Sequence, residues 1–371
     1  GILSSTGGTL SASGFSIGAA GKVNILGGTL TLSSGGTAVS GAAITTSNAS
    51  VSLVGTLAVA DTWTSTNTNL SLTDDAILSS TAPLSLATLS TNGHDFKLAN
   101  GTTDLTLTNN FTLSSGKLST QGGDLIFAGS ADISSGASLD ATVTAGTAGK
   151  LEFQQGGTAS GTINAEDATF KIGADYDIGG TLITSSGTAW ELGTSNLDLS
   201  GGSLVLGGNV VLDNVITNNQ TKFELAEDAT VTRNAGFTLR KVKLNDKIFT
   251  LGSATTDLTV DLSSASGTGS NTGTIATQTA DFTVLGALTF ETGNTLSSTG
   301  GELSFADGIT INGAAINLQD TTLAVGSNLT KTGGTITLNQ ADLELKSDLT
   351  LSSDAPLEFD TFVPNAKNLE L

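Results

Sequence analysis

Gly308-Ile309-Thr310-Ile311, Asn328-Leu329-Thr330-Lys331 and Asp348-Leu349-Thr350-Leu351 repeat one four-residue phrase at intervals of 20 residues. Each phrase sets an apolar position against a polar one, as a short strand with one buried face requires. Working outward, the same beat reaches Leu288 on one side and Leu369 on the other. The first series is then Leu288, Ile309, Leu329, Leu349 and Leu369. A second runs Leu296, Ile316, Ile336 and Leu357, and a third Leu303, Leu323, Leu343 and Phe362. Three strands per period of 20 to 21 residues, each stacked on its copy in the next period, describe one coil of a solenoid. The expected fold is all-β: a right-handed three-sided parallel β-helix (β-solenoid) of about 20–21 residues per coil.

The beat persists less evenly toward the N-terminus. Phe237 and Leu258 lie 21 residues apart, as do Tyr176 and Leu197, while Leu70, Leu89, Phe111 and Ile133 step by 19, 22 and 22. Gly-Gly-Thr-Leu recurs at Gly7, Gly27 and Gly179, with variants at Gly201 and Gly300. Glycine supplies the positive-φ corners at which a coil changes direction. Spread over 371 residues, the period gives about 18 coils, or a rod on the order of 85 Å at a strand spacing of ~4.8 Å. Two stretches, 141–161 and 263–280, break the rhythm and are read as loop excursions. Strand beats resume on both sides of each, so 1–371 is read as a single continuous solenoid domain.

Composition narrows the function classes. With 34 Asp+Glu against 14 Lys+Arg, the formal charge is −20, which disfavours nucleic acid and anionic membrane as partners. No apolar run is long enough to insert in a membrane as a helix. The absence of Cys removes disulfides, thiolate metal sites and cysteine nucleophiles. The sequence also contains no Met, so it reads as a processed product or a piece of a longer chain. One basic stretch stands out: Arg233, Arg240, Lys241, Lys243 and Lys247 are five of the 14 cations within 15 residues. It reads either as a solvated strand face or as a docking patch for an acidic neighbour, such as another copy of this chain.

Stacking predicts columns on the outer surface. Thr289, Thr310, Thr330 and Thr350 should line up, ended by Glu370, with Asn328, Asp348 and Asn368 at the preceding corner. Lys331 falls where its counterparts Ile311 and Leu351 face inward; either its strand ends early or the lysine reaches out through a corner. Trp190, in Trp190-Glu191-Leu192, reads as core. Trp63 reads either as core or as an exposed platform for a sugar ring, and is the candidate glycan contact.

Some residues resemble the catalytic set of the pectin-hydrolase β-helix enzymes. Those enzymes place an Asp pair, Gly-His-Gly and Arg-x-Lys on neighbouring coils. Here the matching residues are Asp74-Asp75, Gly93-His94-Asp95 and Arg240-Lys241-Val242-Lys243. Asp95 and Val242 depart from that pattern. Asp74 and His94 are 20 residues apart and should stack on adjacent coils, whereas Arg240 follows His94 by 146 residues, far outside catalytic reach. No catalytic, cofactor-binding or dedicated metal site is therefore expected. Acidic turns such as Asp74-Asp75 or Glu166-Asp167 offer oxygen ligands for an occasional Ca²⁺. Ice binding is disfavoured, because the positions beside the Thr column (Glu291, Asn312, Thr332, Ser352) do not repeat. The sequons at Asn48, Asn69, Asn100, Asn110, Asn219 and Asn328 carry meaning only in a eukaryotic secretory setting.

The Gly-Gly-Thr-Leu turns, the Asp/Asn-Leu-Thr-Leu strands, the acidity and the lack of Cys together resemble bacterial surface β-solenoids over the whole chain. These include autotransporter passengers, filamentous-haemagglutinin-like adhesins and giant repetitive surface proteins. The resemblance lies in style rather than in a motif. It implies display outside a bacterial cell, as a non-enzymatic structural segment of a surface fibre or sheath. Neither end shows a polar capping helix, so the terminal coils are expected to stack on further coils or on another copy. The alternative is an adhesin stalk or glycan-binding surface, with a polysaccharide-cleaving enzyme behind it.

Overall fold

A computed structural model of the protein describes residues 1–142, 149–261 and 272–370. Among these residues every regular element is a strand and none is a helix. The strands pair in parallel with counterparts about 20 residues away, stacking as a β-solenoid of about 18 turns. The chain divides into two compact units, Gly1–Asp198 and Leu199–Leu371.

The corners explain how so short a strand can be cut off cleanly. Many non-glycine residues with positive φ are Asn, Asp or Gln, including Asn48, Asn67, Asn92, Gln121, Asn245 and Asp320. Short amide and carboxylate side chains tolerate the left-handed region because they bond to nearby backbone. Glycine is obligatory at Gly35, where φ is 75° and a Cβ would lie 1.9 Å from the Thr56 carbonyl oxygen of the next coil.

In the first unit, Thr9–Ala12, Thr29–Leu32, Ser50–Val59 and Asn69–Ser80 form one ladder with Leu10, Leu30, Val51 and Leu70 in register. Ser50–Val59 and Asn69–Ser80 each span a corner, and their register shifts between Leu72 and Ala76. Leu30, Leu32, Val51, Leu53, Leu70 and Leu72 are all buried. Burial of each such side chain contributes about 1.5–3 kcal/mol. Farther along, the interior is filled by rings. Phe111 stacks on Phe127 at 5.2 Å between centroids, Phe127 on Phe153 at 5.1 Å, and Phe153 lies 4.5 Å from Tyr176. Two buried polar groups in this region are matched: the Tyr176 hydroxyl donates to the Ala131 carbonyl at 3.0 Å, and Glu152 is held by Lys150 at 2.7 Å and Lys171 at 3.4 Å. Leu70 pairs with Leu89 and Tyr176 with Leu197, as the beat predicts. Phe111, however, faces Ala131, and it is Leu113 that faces Ile133.

In the second unit the third series is in register throughout: Leu303, Leu323, Leu343 and Phe362 lie opposite one another in turn. The first series holds from Leu288 through Ile309 to Leu329, and again between Leu349 and Leu369. Between these it slips, with Leu329 facing Leu351 rather than Leu349. A slip of two residues keeps every side chain on its own face, because strand periodicity is two. Its cause is Lys331. In the periodic register its inward side chain would meet Leu351, and an unpaired ammonium there would be costly. The observed register puts Ser353 opposite Lys331, which is 6% exposed, and lets the Asp354 carboxylate meet its Nζ and the Gly333 amide. Those two bonds hold the Asp354 carboxyl below its ordinary range.

The slip also breaks the Thr column. Thr289, Thr310 and Thr330 are aligned, but Ser352 comes next, and Thr350 lies opposite Glu370. At the corner, Asn368 donates its backbone amide to Asp348 Oδ1 at 2.9 Å in place of an amide–amide ladder. The second series is aligned from Leu296 through Ile316 to Ile336, but Leu357 lies outside any strand.

Within the stretches read as loop excursions, Lys150–Phe153, Gly157–Ala159 and Gly273–Gln278 are strands in register with their neighbours. Residues 143–148 and 263–271 of those stretches lie outside the described residues.

Candidate functional site

The chain's single histidine stands at a corner of the first unit. Thr91-Asn92-Gly93-His94 turns tightly, with φ of 51° at Asn92 and 88° at Gly93 and a hydrogen bond of 2.9 Å from the His94 amide to the Thr91 carbonyl. One coil earlier, Asp74 and Asp75 occupy the shift in register between Leu72 and Ala76. The imidazole Nδ1 lies 4.0 Å from Asp74 Oδ1 and 3.9 Å from Asp75 Oδ1. Both carboxylates are exposed and the imidazole is about one-third exposed (side-chain exposure 35%). The expected stacking of Asp74 and His94 on adjacent coils is therefore realised. Arg240 belongs to the other compact unit and places its Nη1 3.4 Å from Gln220 Oε1.

Backbone clamps hold this corner. Asn92 Nδ2 donates to the Leu72 carbonyl at 2.7 Å, and the Asp95 amide donates to Asp75 Oδ1 at 2.9 Å. The same corner recurs twice in the second unit. Asn245 Nδ2 donates to the Leu225 carbonyl at 2.8 Å, and the Ile248 amide to Asp228 Oδ1 at 2.9 Å. Asn365 Nδ2 donates to the Leu345 carbonyl at 3.2 Å, and the Asn368 amide to Asp348 Oδ1 at 2.9 Å. All three Asn have φ near 50°. The position of His94 is taken by Lys247 and Lys367, and that of Asp74 by Glu227 and Ser347. The signal was present in the sequence as Leu-x-x-Asp followed, 20 residues after the Leu, by Asn-x-basic. It escapes an apolar-beat reading because its residues sit between the beats.

A second clamp also lay outside the beats. Buried Thr103, Thr188, Thr221 and Thr256 donate from Oγ1 to the carbonyls of Ser80, Ala165, Leu199 and Arg233, at 3.1, 2.8, 2.9 and 3.0 Å. Each of these carbonyls lies one coil earlier.

The basic stretch separates into parts. Lys241–Lys243 is a strand whose outward Lys241 and Lys243 lie opposite Lys222 and Glu224. Lys243 Nζ is 2.6 Å from Glu224 Oε1, and this bond, with one from Asn245, holds the Glu224 carboxyl below its ordinary range. Arg233 leaves the patch: it is half-buried with its guanidinium 5.9 Å from the Phe237 ring centroid. Burial pulls it below its ordinary pKa, against the opposing pull of Asp213. Lys247 occupies the recurrent corner and is half-buried.

Trp63 corrects an expectation. It is 5% exposed, lies opposite Ile44 on the inward side of its ladder, and donates from Nε1 to Thr46 Oγ1 at 2.8 Å. The ring is core because an inward hydroxyl satisfies its only polar atom, so it offers no platform to a sugar. Trp190 also points inward, opposite Phe170, with ring centroids 5.9 Å apart. Compared with family profiles, curated proteins and solved structures, the chain matches none.

Proposed function

We propose that this chain is a non-enzymatic structural segment of an extracellular bacterial surface fibre or sheath, joined to further coils by end-to-end or lateral contacts. The observation that carries the reading is the thrice-built corner. The residues that most resemble a catalytic cluster occupy a scaffold that recurs with Lys247 and Lys367 in place of the histidine. A corner that works with lysine and with serine is selected for holding coils together. The Asp, Asn and Thr clamps have the same purpose, tying backbone of one coil to side chains of another.

An apolar cavity of about 380 Å³ in the first unit supports the assembly part of this reading. Leu3, Leu10, Phe15, Ile17, Val23 and Leu32 line it, and Ile2 and Leu3 beside it are 69% and 49% exposed. A further solenoid coil, carrying the same inward Leu and Ile, is the occupant whose shape and chemistry fit. Electron microscopy of the purified protein tests the proposal. Filaments or paired assemblies that fall apart on Leu3→Asp substitution are expected. Dispersed single particles at all concentrations would overturn the assembly reading, and polysaccharide cleavage abolished by His94→Ala would overturn the non-enzymatic one.

A further inference from the structure

The three corners share one backbone and differ in the side chains they present. At the corner of residues 225–248 these are Glu227, Asp228 and Lys247, and at the corner of residues 345–368 they are Ser347, Asp348 and Lys367. An ammonium group donates hydrogen bonds and offers a metal no lone pair. At the corner of residues 72–95 the cation is replaced by an imidazole, which has a lone pair to give, and both facing positions are carboxylates.

We propose that Asp74, Asp75 and His94 form a binding site for a divalent transition-metal ion of the zinc type. One ligand atom from each of the three lies within 4.8 Å of the other two. The imidazole Nδ1 is already 3.9–4.0 Å from a carboxylate oxygen of each Asp. Donors bound to zinc at about 2.1 Å in tetrahedral arrangement are about 3.4 Å apart, so small rotations of exposed carboxylates close the site. The groups are also held in place. Asp75 Oδ1 accepts the Asp95 amide at 2.9 Å and Asp74 Oδ1 accepts the Asp75 amide at 2.8 Å, which orients both carboxylates with those same oxygens, each keeping a further lone pair, toward the imidazole. Hydrogen bonds of this kind raise the affinity of a metal ligand by fixing its direction. Mixed imidazole and carboxylate donors suit zinc, nickel or copper more than calcium, which takes oxygen ligands. The site has three protein donors, so water completes the coordination. The inference does not rest on the structural role proposed above.

The chain carries one histidine, so a single imidazole signal reports on the site. The full chain, labelled at histidine, is titrated with zinc chloride while the ring resonances are followed and the heat of binding is measured. The expected result is one zinc per chain with a shift of the imidazole resonances. Two substitutions borrow the residues of the other corners, where this backbone already accepts them. His94→Lys is expected to abolish the calorimetric binding. Asp74→Ser is expected to weaken it by ~10-fold or more, since one of three ligands is lost. Zinc uptake equal in wild type and His94→Lys would overturn the proposal, as scattered carboxylates would then account for it. So would unchanged affinity in Asp74→Ser, which would leave a lone imidazole binding adventitiously, or imidazole resonances that zinc does not move.

Discussion

From Phe96 to Trp190 the first unit fills its coils with rings, whereas from Leu288 to Leu345 the second fills them mainly with Leu, Ile and Val. Phe153 shows what the rings add: its centroid is 5.1 Å from Phe127, 5.8 Å from Phe170 and 4.5 Å from Tyr176. Those partners come from three different strands, Leu125–Phe127, Thr169–Ile172 and Tyr176–Ile178, and so from more than one ladder. Leu343, in contrast, is aligned with Leu323 and Phe362 directly above and below it in a single ladder. The Phe153 ring reaches across its coil to Tyr176 on another ladder, a span that a shorter aliphatic side chain covers less fully. Protection from local opening should therefore be shared over more coils in the ring-filled region than in the aliphatic one.

The strongest way to break this difference is Phe153→Ala, expected to cost about 3–5 kcal/mol. Hydrogen exchange should then quicken in strands from Phe111 to Trp190, and loss confined to Lys150–Phe153 would refute the shared-core account. Leu343→Ala, at about 2–5 kcal/mol, should loosen only Asp342–Leu345 and the strands paired with it. A smaller effect tests what the two units have in common. Thr103→Val in the first and Thr256→Val in the second each remove a buried hydroxyl from a carbonyl one coil earlier, buried at Ser80 and part-buried at Arg233, at an expected cost of about 1–3 kcal/mol. Denaturation of each variant should give similar losses despite the different cores.

Acid should produce the smallest and most unequal change. In the first unit burial raises Asp140 and Glu152, but hydrogen bonds from Lys117 and Thr142, and from Lys150 and Gln154, outweigh it and hold both below their ordinary values. Burial, with Asp104 and Asp198 respectively, raises Asp124 and Asp177. In the second unit Glu224 and Glu344 are lowered, chiefly by Lys243 and Lys346. A lowered carboxyl stabilises the fold above its unfolded pKa of about 4 and loses that contribution as pH falls through its folded value. A raised one works in the opposite sense, since its penalty is relieved as it protonates. Below about pH 4.5 the strands around Glu224 and Glu344 should lose protection, while Asp124 and Asp177 offset part of the loss in the first unit. Equal loss in both, measured by hydrogen exchange between pH 6 and pH 3, would contradict these assignments.

The parallel coils could be read from the sequence because inward Leu and Ile recur at a fixed interval, and parity is all that interval has to convey. The slip at Leu329 was illegible for the same reason. A two-residue shift leaves parity intact, and its cause is a single ion pair between Lys331 and Asp354. The 20-residue spacing allowed Asp74 and His94 to stack on adjacent coils, as they do. Spacing could not place Trp63, whose burial depends on Thr46 lying within reach of its indole. The basic cluster was visible as charge, but the turning of Arg233 toward Phe237 depends on a ring contact that no charge pattern records.

At each of the three recurrent corners both clamps span 20 residues, from Leu72 to Asn92 and Asp75 to Asp95 and at the two later equivalents. Donor and acceptor thus belong to successive windings, and an insertion within a strand between them would turn the rest of that strand to the wrong face until a corner took up the extra residue. Duplication or loss of one whole winding copies or removes both halves of the clamp together. Such a chain can change its length by whole windings without parting a clamp, while changes in girth fall to the corners, as the 19-residue step from Leu70 to Leu89 and the 26-residue step from Leu125 to Leu151 show.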